Sequence, residues 1–266
     1  MKKLVFKLVL IVAILSIMPI GIVRADSEAK ILQVYISEQT LTVFIDNGLL
    51  SDALKCSISN QNAEITATGS LSDENTLMKM TVVLDVSTSM PTAIRDGVIA
   101  TLKKMVEQKV ANEEFKLVVF GDEIKTLHDF SSDRYDLASV IEKIKFDGNQ
   151  SKIYDAIYNT IPRIVSSDNK PTFYRTIVIT DGVDNTVSGI TKEELFLKLQ
   201  NEHYPVDVVT VSSKEMAEDK ELSAIVRMSG GKYYSLNPNT DISVLVQNLS
   251  MNGSCLGFEQ VQKYPY

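Results

Sequence analysis

Two histidines and two cysteines among 266 residues leave little room for imidazole or thiolate chemistry. His128 and His203 each stand without a His-x-x-x-His partner or a nearby Cys, so both read as structural or exposed residues. Cys56 and Cys255 alone fall short of the four ligands of a structural zinc site. G-x-S-x-G, the Walker A loop and H-E-x-x-H are all missing, and a serine nucleophile would need a positioned base that neither His offers. These absences argue against an enzyme. Basic charge is also short, with 27 Lys and Arg against 34 Asp and Glu and a net charge of -7. Nucleic acid, which selects clusters of Lys and Arg, is therefore excluded as a partner. Internal repeats and low-complexity tracts are lacking, and no apolar run after residue 25 reaches transmembrane length.

What the chain does have begins with "MKKLVFKLVLIVAILSIMPIGIVRA", a basic start, an apolar run over residues 8–23 and a small-residue end. The run is shorter than the roughly 20 residues a spanning helix needs and contains Pro19, so it reads as a signal peptide cut after Ala25. The expected mature protein is secreted or extracytoplasmic, with no membrane span after cleavage. Losing Lys2, Lys3, Lys7 and Arg24 moves the formal charge from -7 to -7 - 4 = -11. In such a compartment Cys56 and Cys255 could pair, closing a long loop worth on the order of 5 kcal/mol in the chain-entropy model. Their spacing leaves a bridge and two separate thiols both open.

From about residue 78 short apolar runs alternate with helical periods. The runs "MKMTVVLDV", "EFKLVVFGD", "YRTIVITDG" and "PVDVVTVSS" are rich in Val and Ile and polar only at their ends, as strands covered on both faces are. Between them Ile94, Val98, Leu102, Met105 and Val106 form one helical stripe; Ile153, Ala156, Ile157, Thr160 and Ile164 form another, with Pro162 expected to kink it. Thr191 and Glu194 match a capping box, and Gly230 or Gly231 suits a left-handed helix stop. The element order strand, helix, strand, strand, helix, helix, then strand and helix three times over, predicts an α/β fold. It should hold a doubly wound, mostly parallel sheet of about six strands with helices on both faces. Residues 26–77 read instead as short alternating strands, a small β-rich accessory segment, and residues 251–266 as a loosely patterned tail.

In an open α/β sheet ligands bind beyond the carboxyl ends of the strands. Asp85, Ser87 and Ser89 follow the first strand of this sheet, Asp181 follows "TIVIT", and Ser151 stands at the turn before a helix. All five offer oxygen alone, which suits Mg²⁺, with Mn²⁺ or Ca²⁺ compatible with the same donors. An extended Asp-x-Ser-x-Ser segment would point its three oxygens the same way.

The set "DVSTSM", "GNQSKIYDAI" and "VITDGVDN", in that order, resembles the von Willebrand factor A domain with its metal-ion-dependent adhesion site, over about residues 78–250. That resemblance implies a Rossmann-like fold and a metal held by Asp85, Ser87 and Ser89 of the first motif, Ser151 in place of a Thr in the second, and Asp181 of the third, often through water. Asp155, Asp184 and Asn185 also look typical of the family, as residues that order the loops. The implied function is adhesion-type binding, in which a protein or glycoprotein partner presents an Asp or Glu to the cation. The alternative is a structural or scaffold protein whose metal site is vestigial.

Overall fold

The computed structural model describes residues 30–36, 40–46, 56–58, 61–63, 67–73, 75–162, 170–182, 184–186, 188–202, 204–213, 219–250 and 253–259. The leader of residues 1–25 and its cut, together with His203 and Ile164, lie outside them. Two compact units are present, one of residues 1–71 with 252–266 and one of residues 72–251.

In the first unit, strands β1 (Lys30–Ile36), β2 (Thr40–Asp46), β5 (Ala67–Ser70) and β12 (Gly253–Glu259) form a four-stranded sheet in the order β1-β2-β12-β5, every pairing antiparallel. A separate hairpin pairs β3 (Cys56–Ile58) with β4 (Gln61–Ala63). The accessory segment is β-rich, as its alternation predicts. The tail differs from the sequence reading, because Gly253–Glu259 is a strand between β2 and β5. Gly253, Ser254 and Gly257 dilute the β pattern there, and its partners lie about 200 residues upstream, beyond the reach of local sequence signals. Cys56 and Cys255 therefore belong to the same unit, so a bridge would act within it rather than staple it to the larger one. Their side chains lie outside what is described.

The second unit is built on a six-stranded sheet in the order β11-β10-β9-β6-β7-β8. Its strands are β6 (Leu77–Asp85), β7 (Glu113–Phe120), β8 (Ile124–Ser131), β9 (Thr172–Thr180), β10 (Val206–Val211) and β11 (Tyr233–Leu236). All neighbours are parallel except β7 and β8, which the short turn at residues 121–123 joins as an antiparallel pair. Helices α1 (Thr92–Gln108), α2 (Arg134–Ile141), α3 (Ile153–Thr160), α4 (Lys192–Glu202), α5 (Lys220–Ser229) and α6 (Ile242–Leu249) complete the order read from sequence.

Alternate strand residues divide between two cores. Val82, Leu84, Leu117, Val119, Ile177 and Ile179 pack with α1, α2 and α6 on one face. Val83, Val118, Phe120, Val178, Val206 and Val208 pack with α3, α4 and α5 on the other. Both faces are thus covered, which is why these strands carry apolar residues at nearly every position. The α1 stripe is buried as read, at Ile94, Val98, Leu102, Met105 and Val106. Pro162 ends α3 rather than kinking it: Ile161 already has extended backbone (φ -71°, ψ 106°), the conformation a following proline imposes. No helix among the described residues is long and apolar enough to cross a membrane.

Candidate metal centre

The chain turns away in opposite directions from β6 and β9, which lie side by side at the middle of the sheet. A crevice opens at the carboxyl ends of such a strand pair. Asp85 is the last residue of β6, and Asp181 follows the last residue of β9. Ser151 reaches the same edge on the segment before α3, which crosses to β6 through an isolated bridge between Ser87 and Gly148. Thr88 N–H donates to Gly148 O (2.7 Å) and Gly148 N–H to Val86 O (3.0 Å). That crossing needs close approach, since a Cβ on Gly148 would lie 3.1 Å from the Cα of Gly121.

All five residues read from sequence meet in one hydrogen-bonded chain. Asp85, fully buried, accepts Ser87 N–H on Oδ1 (2.9 Å) and the Ser151 hydroxyl on Oδ2 (2.7 Å). The Ser87 and Ser89 hydroxyls share a hydrogen bond of 2.7 Å, and Ser89 Oγ donates to Asp181 Oδ1 at 3.2 Å. Burial falls off along this chain from Asp85, Ser87 and Ser151 to half-buried Asp181 and exposed Ser89, so the oxygens open towards solvent. The first loop is not extended, as its alternation suggested. Asp85 turns it by accepting the amide two residues on, and Met90 N–H closes back on Ser87 O (3.2 Å).

Two further residues belong to this edge. Thr180, fully buried at the end of β9, donates its hydroxyl to Asp85 Oδ2 (2.8 Å). Arg95 on α1 donates to the Thr88 and Met90 carbonyls. Nothing in the sequence marks Arg95; Thr180 is signalled only by standing beside Asp181 at the end of an apolar strand. The remaining polar residues order the loops, as the resemblance implies. Asn185 and Ser151 exchange bonds through Asn185 Oδ1 (2.8 Å) and Asn185 N–H (3.2 Å). Asp184 accepts from Tyr154 N–H and from the amide and hydroxyl of Thr186. Asp155 accepts Ile190 N–H.

Charge and burial act together on Asp181. Burial raises the pKa of Asp181 above the ordinary carboxylate value and the charge of Asp85 adds to the rise, while the Ser89 hydroxyl and the Arg95 guanidinium oppose it. A carboxylate whose charge reaches a second one in this way favours a cation between the two. The donors fit a hard divalent ion: two carboxylates and three hydroxyls, with no sulfur or nitrogen. Among the described residues no group of three or more His, Cys, Asp or Glu is placed so that it could hold a metal ion. The neutral hydroxyls supply the greater part of this set.

No curated protein matches the chain. Among solved structures it is similar to the conserved hypothetical protein BatB from Bacteroides thetaiotaomicron, with 18% identity and a TM-score of 0.50 over 65% of this chain and 97% of that one. It is also similar to proximal thread matrix protein 1 from the mussel byssus, in a structure with a zinc-occupied MIDAS motif. There the identity is 16% and the TM-score 0.56, over 73% of this chain and 50% of that one. A third likeness is to the vWF domain of the type V pili tip protein Mfa5 from Porphyromonas gingivalis, with 11% identity and a TM-score of 0.50 over 65% and 95% of the two chains. Identities this low show a shared fold. The sequence model of the von Willebrand factor type A domain matches residues 80–248, from within the strand that ends in Asp85 to the last helix. That match spans more than half of the 266 residues, and the chain belongs to the von Willebrand factor type A domain family.

Proposed function

We propose that this is an exported, non-catalytic binding protein whose von Willebrand factor type A domain takes a carboxylate of a protein or glycoprotein partner at a divalent cation, Mg²⁺ in the first instance. Asp85, Ser87, Ser89, Ser151 and Asp181 would hold the ion. The observation that carries this reading is the convergence of those five oxygen donors, from three separate loops, into one hydrogen-bonded set at the carboxyl edge of the sheet. The mussel protein, with its zinc-occupied MIDAS motif on the same fold, supports it. Export rests on the basic and apolar leader of residues 1–25.

Bound there, a divalent ion supplies an electrophilic centre able to take an external carboxylate. The residues of the chain divide the remaining work. Asp85 gives charge at the buried end, and its bonds from Ser87, Ser151 and Thr180 fix where the loops sit. The three serines add oxygen without negative charge, so the ion is left incompletely neutralised and keeps its attraction for a partner's acid. Asp181 and Ser89 stand at the open end, where a partner would approach. The strongly acidic surface would repel an acidic partner at long range, but salt screens that field beyond about 8 Å. Selection then happens at contact.

Affinity capture from the protein's own extracytoplasmic surroundings, with Mg²⁺ or with chelator, tests this reading. Captured proteins should elute with chelator and be lost with an Asp85→Ala variant. Replacing one partner Asp or Glu by its amide should weaken binding far more than changes at neighbouring residues. Partners held equally well in chelator and by Asp85→Ala would point instead to a scaffold whose metal site is vestigial.

A further inference from the structure

We infer that Arg95 is the positioning residue of this site: it clamps the Asp85–Met90 loop to the segment that carries Ser151, and so assembles the donor oxygens before any cation arrives. The inference rests on the reading of those donors as a metal site. Arg95 is the fourth residue of α1 and is only partly exposed. Its Nε donates to Met90 O at 3.0 Å and its Nη2 to Thr88 O at 3.1 Å. Those two carbonyls flank Ser89, the most exposed donor of the set. On its face the guanidinium stacks against Phe146, 5.1 Å from the ring centre.

Phe146 lies two residues before Gly148, the residue that bridges to Ser87, and five before Ser151. One side chain therefore grips the first loop by two hydrogen bonds and the second by its ring. The backbone bonds between Gly148 and residues 86 and 88 hold the two loops together at the buried end. Arg95 does the same work further out, where the first loop turns towards solvent and backbone pairing stops.

Only arginine can do all of this. Its planar fork carries separate donors for two carbonyls while its face stays free to stack, whereas lysine is a point charge that would satisfy one contact at a time. A guanidinium near a cation site also repels the ion, so the residue costs affinity through its charge and adds affinity through order. The exposed side of the site is screened by water and salt, which weakens the first effect, while the hydrogen bonds fix backbone that would otherwise have to be ordered at the moment of binding. Order is the larger contribution.

Arg95→Lys separates the two effects because it keeps the charge. The backbone amides of Ser87, Thr88 and Met90 each have an acceptor within or between the loops, and their hydrogen exchange can be followed by NMR in excess chelator. In Arg95→Lys these amides should exchange at least tenfold faster, while the amide of Val83 inside β6 stays unchanged as an internal reference. Calorimetric titration of the same full chain with Mn²⁺ should show affinity falling about tenfold. Phe146→Leu, which keeps both hydrogen bonds and removes the ring, should shift both readouts the same way by less, and serves as the test should Arg95→Lys fail to fold. Unchanged exchange at the three amides overturns the inference. Faster exchange with affinity preserved overturns it too, since loop order would then have no bearing on the ion. If the unaltered protein takes up no Mn²⁺ at all, the proposed metal function fails, and the exchange measurement in chelator still decides whether Arg95 holds the loops together.

Discussion

Asp85 accepts three hydrogen bonds at the buried end of the candidate site. A fully buried carboxylate is tolerated only when its oxygens are satisfied, and here donors from three different segments, Ser87, Ser151 and Thr180, converge on it. Asp181 is in the opposite situation. It has one hydroxyl donor in Ser89, it is half-buried, and both burial and the charge of Asp85 raise its pKa. An acid whose folded pKa lies above its unfolded value binds more protons in the folded state, so in chelator stability should fall as pH rises from about 4 through the raised pKa. Asp181→Asn keeps an oxygen for Ser89 and removes the charge. It should raise the melting temperature in chelator at neutral pH and flatten that slope. In excess Mg²⁺ the order should reverse, with the unaltered protein gaining stability by ligand linkage and the variant gaining little. A lower melting temperature for Asp181→Asn in chelator would show that the two carboxylates do not strain the metal-free site. The five oxygen-bearing residues that meet at this edge were legible in the sequence, Asp85, Ser87, Ser89 and Asp181 just past apolar strands and Ser151 at the turn before a helix. Thr180 was signalled only by its place beside Asp181, because a β-branched residue at a strand end otherwise reads as strand. Arg95 was not, because it sits at an ordinary helix position and its partners are backbone carbonyls.

At the scale of elements, α5 shows which signals a sequence carries well. Asp219 begins the helix by accepting the amides of Glu221 (2.8 Å) and Leu222 (3.0 Å), and Gly230 ends it in the left-handed region at φ 79°. The two adjacent glycines serve different needs. Gly230 supplies a conformation that costs an L-residue about 1–2 kcal/mol. Gly231 supplies space, since a Cβ there would collide with the Val206 carbonyl at the start of β10. Gly230→Ala should therefore cost about 1 kcal/mol in urea unfolding, and Gly231→Ala clearly more, because the obstacle is backbone in the sheet and cannot swing aside. Equal effects at the two positions would refute this division of roles. Caps and stripes of this kind are local, and the Thr191–Glu194 capping box is present as its spacing implied, with Thr191 N–H donating to Glu194 (2.8 Å) and Glu194 N–H to Thr191 Oγ1 (3.2 Å). Where α3 stops depends on Pro162 acting on its neighbour, which a count of apolar positions passes over.

For the whole molecule, what decides the architecture is where the last strand goes. Strand β12 pairs with β2 along its full length, from Gly253 opposite Asp46 to Glu259 opposite Thr40, and on its other edge with β5. Without it β5 has no partner in that sheet and β2 keeps β1 alone, a two-stranded ribbon of the kind that is marginal in water. The larger unit has its own closure at the point where the chain leaves it. Arg175 on β9, 2% exposed, donates to Asp207 on β10 and to the carbonyl of Leu249, the last residue of α6, while Asp207 also accepts Lys232 N–H. Every partner in that buried network lies within residues 72–251, so it survives removal of anything beyond. A chain ending at residue 251 should therefore keep cooperative unfolding and full amide protection across β6, β7, β9 and β10, and lose protection across Thr40–Asp46 and Ala67–Ser70, as read by hydrogen exchange with mass spectrometry. Protection of Thr40–Asp46 that survives the truncation would mean that the first unit is held by its own local pairings. Loss of protection in both units would mean that β12 is needed for the stability of the larger unit as well.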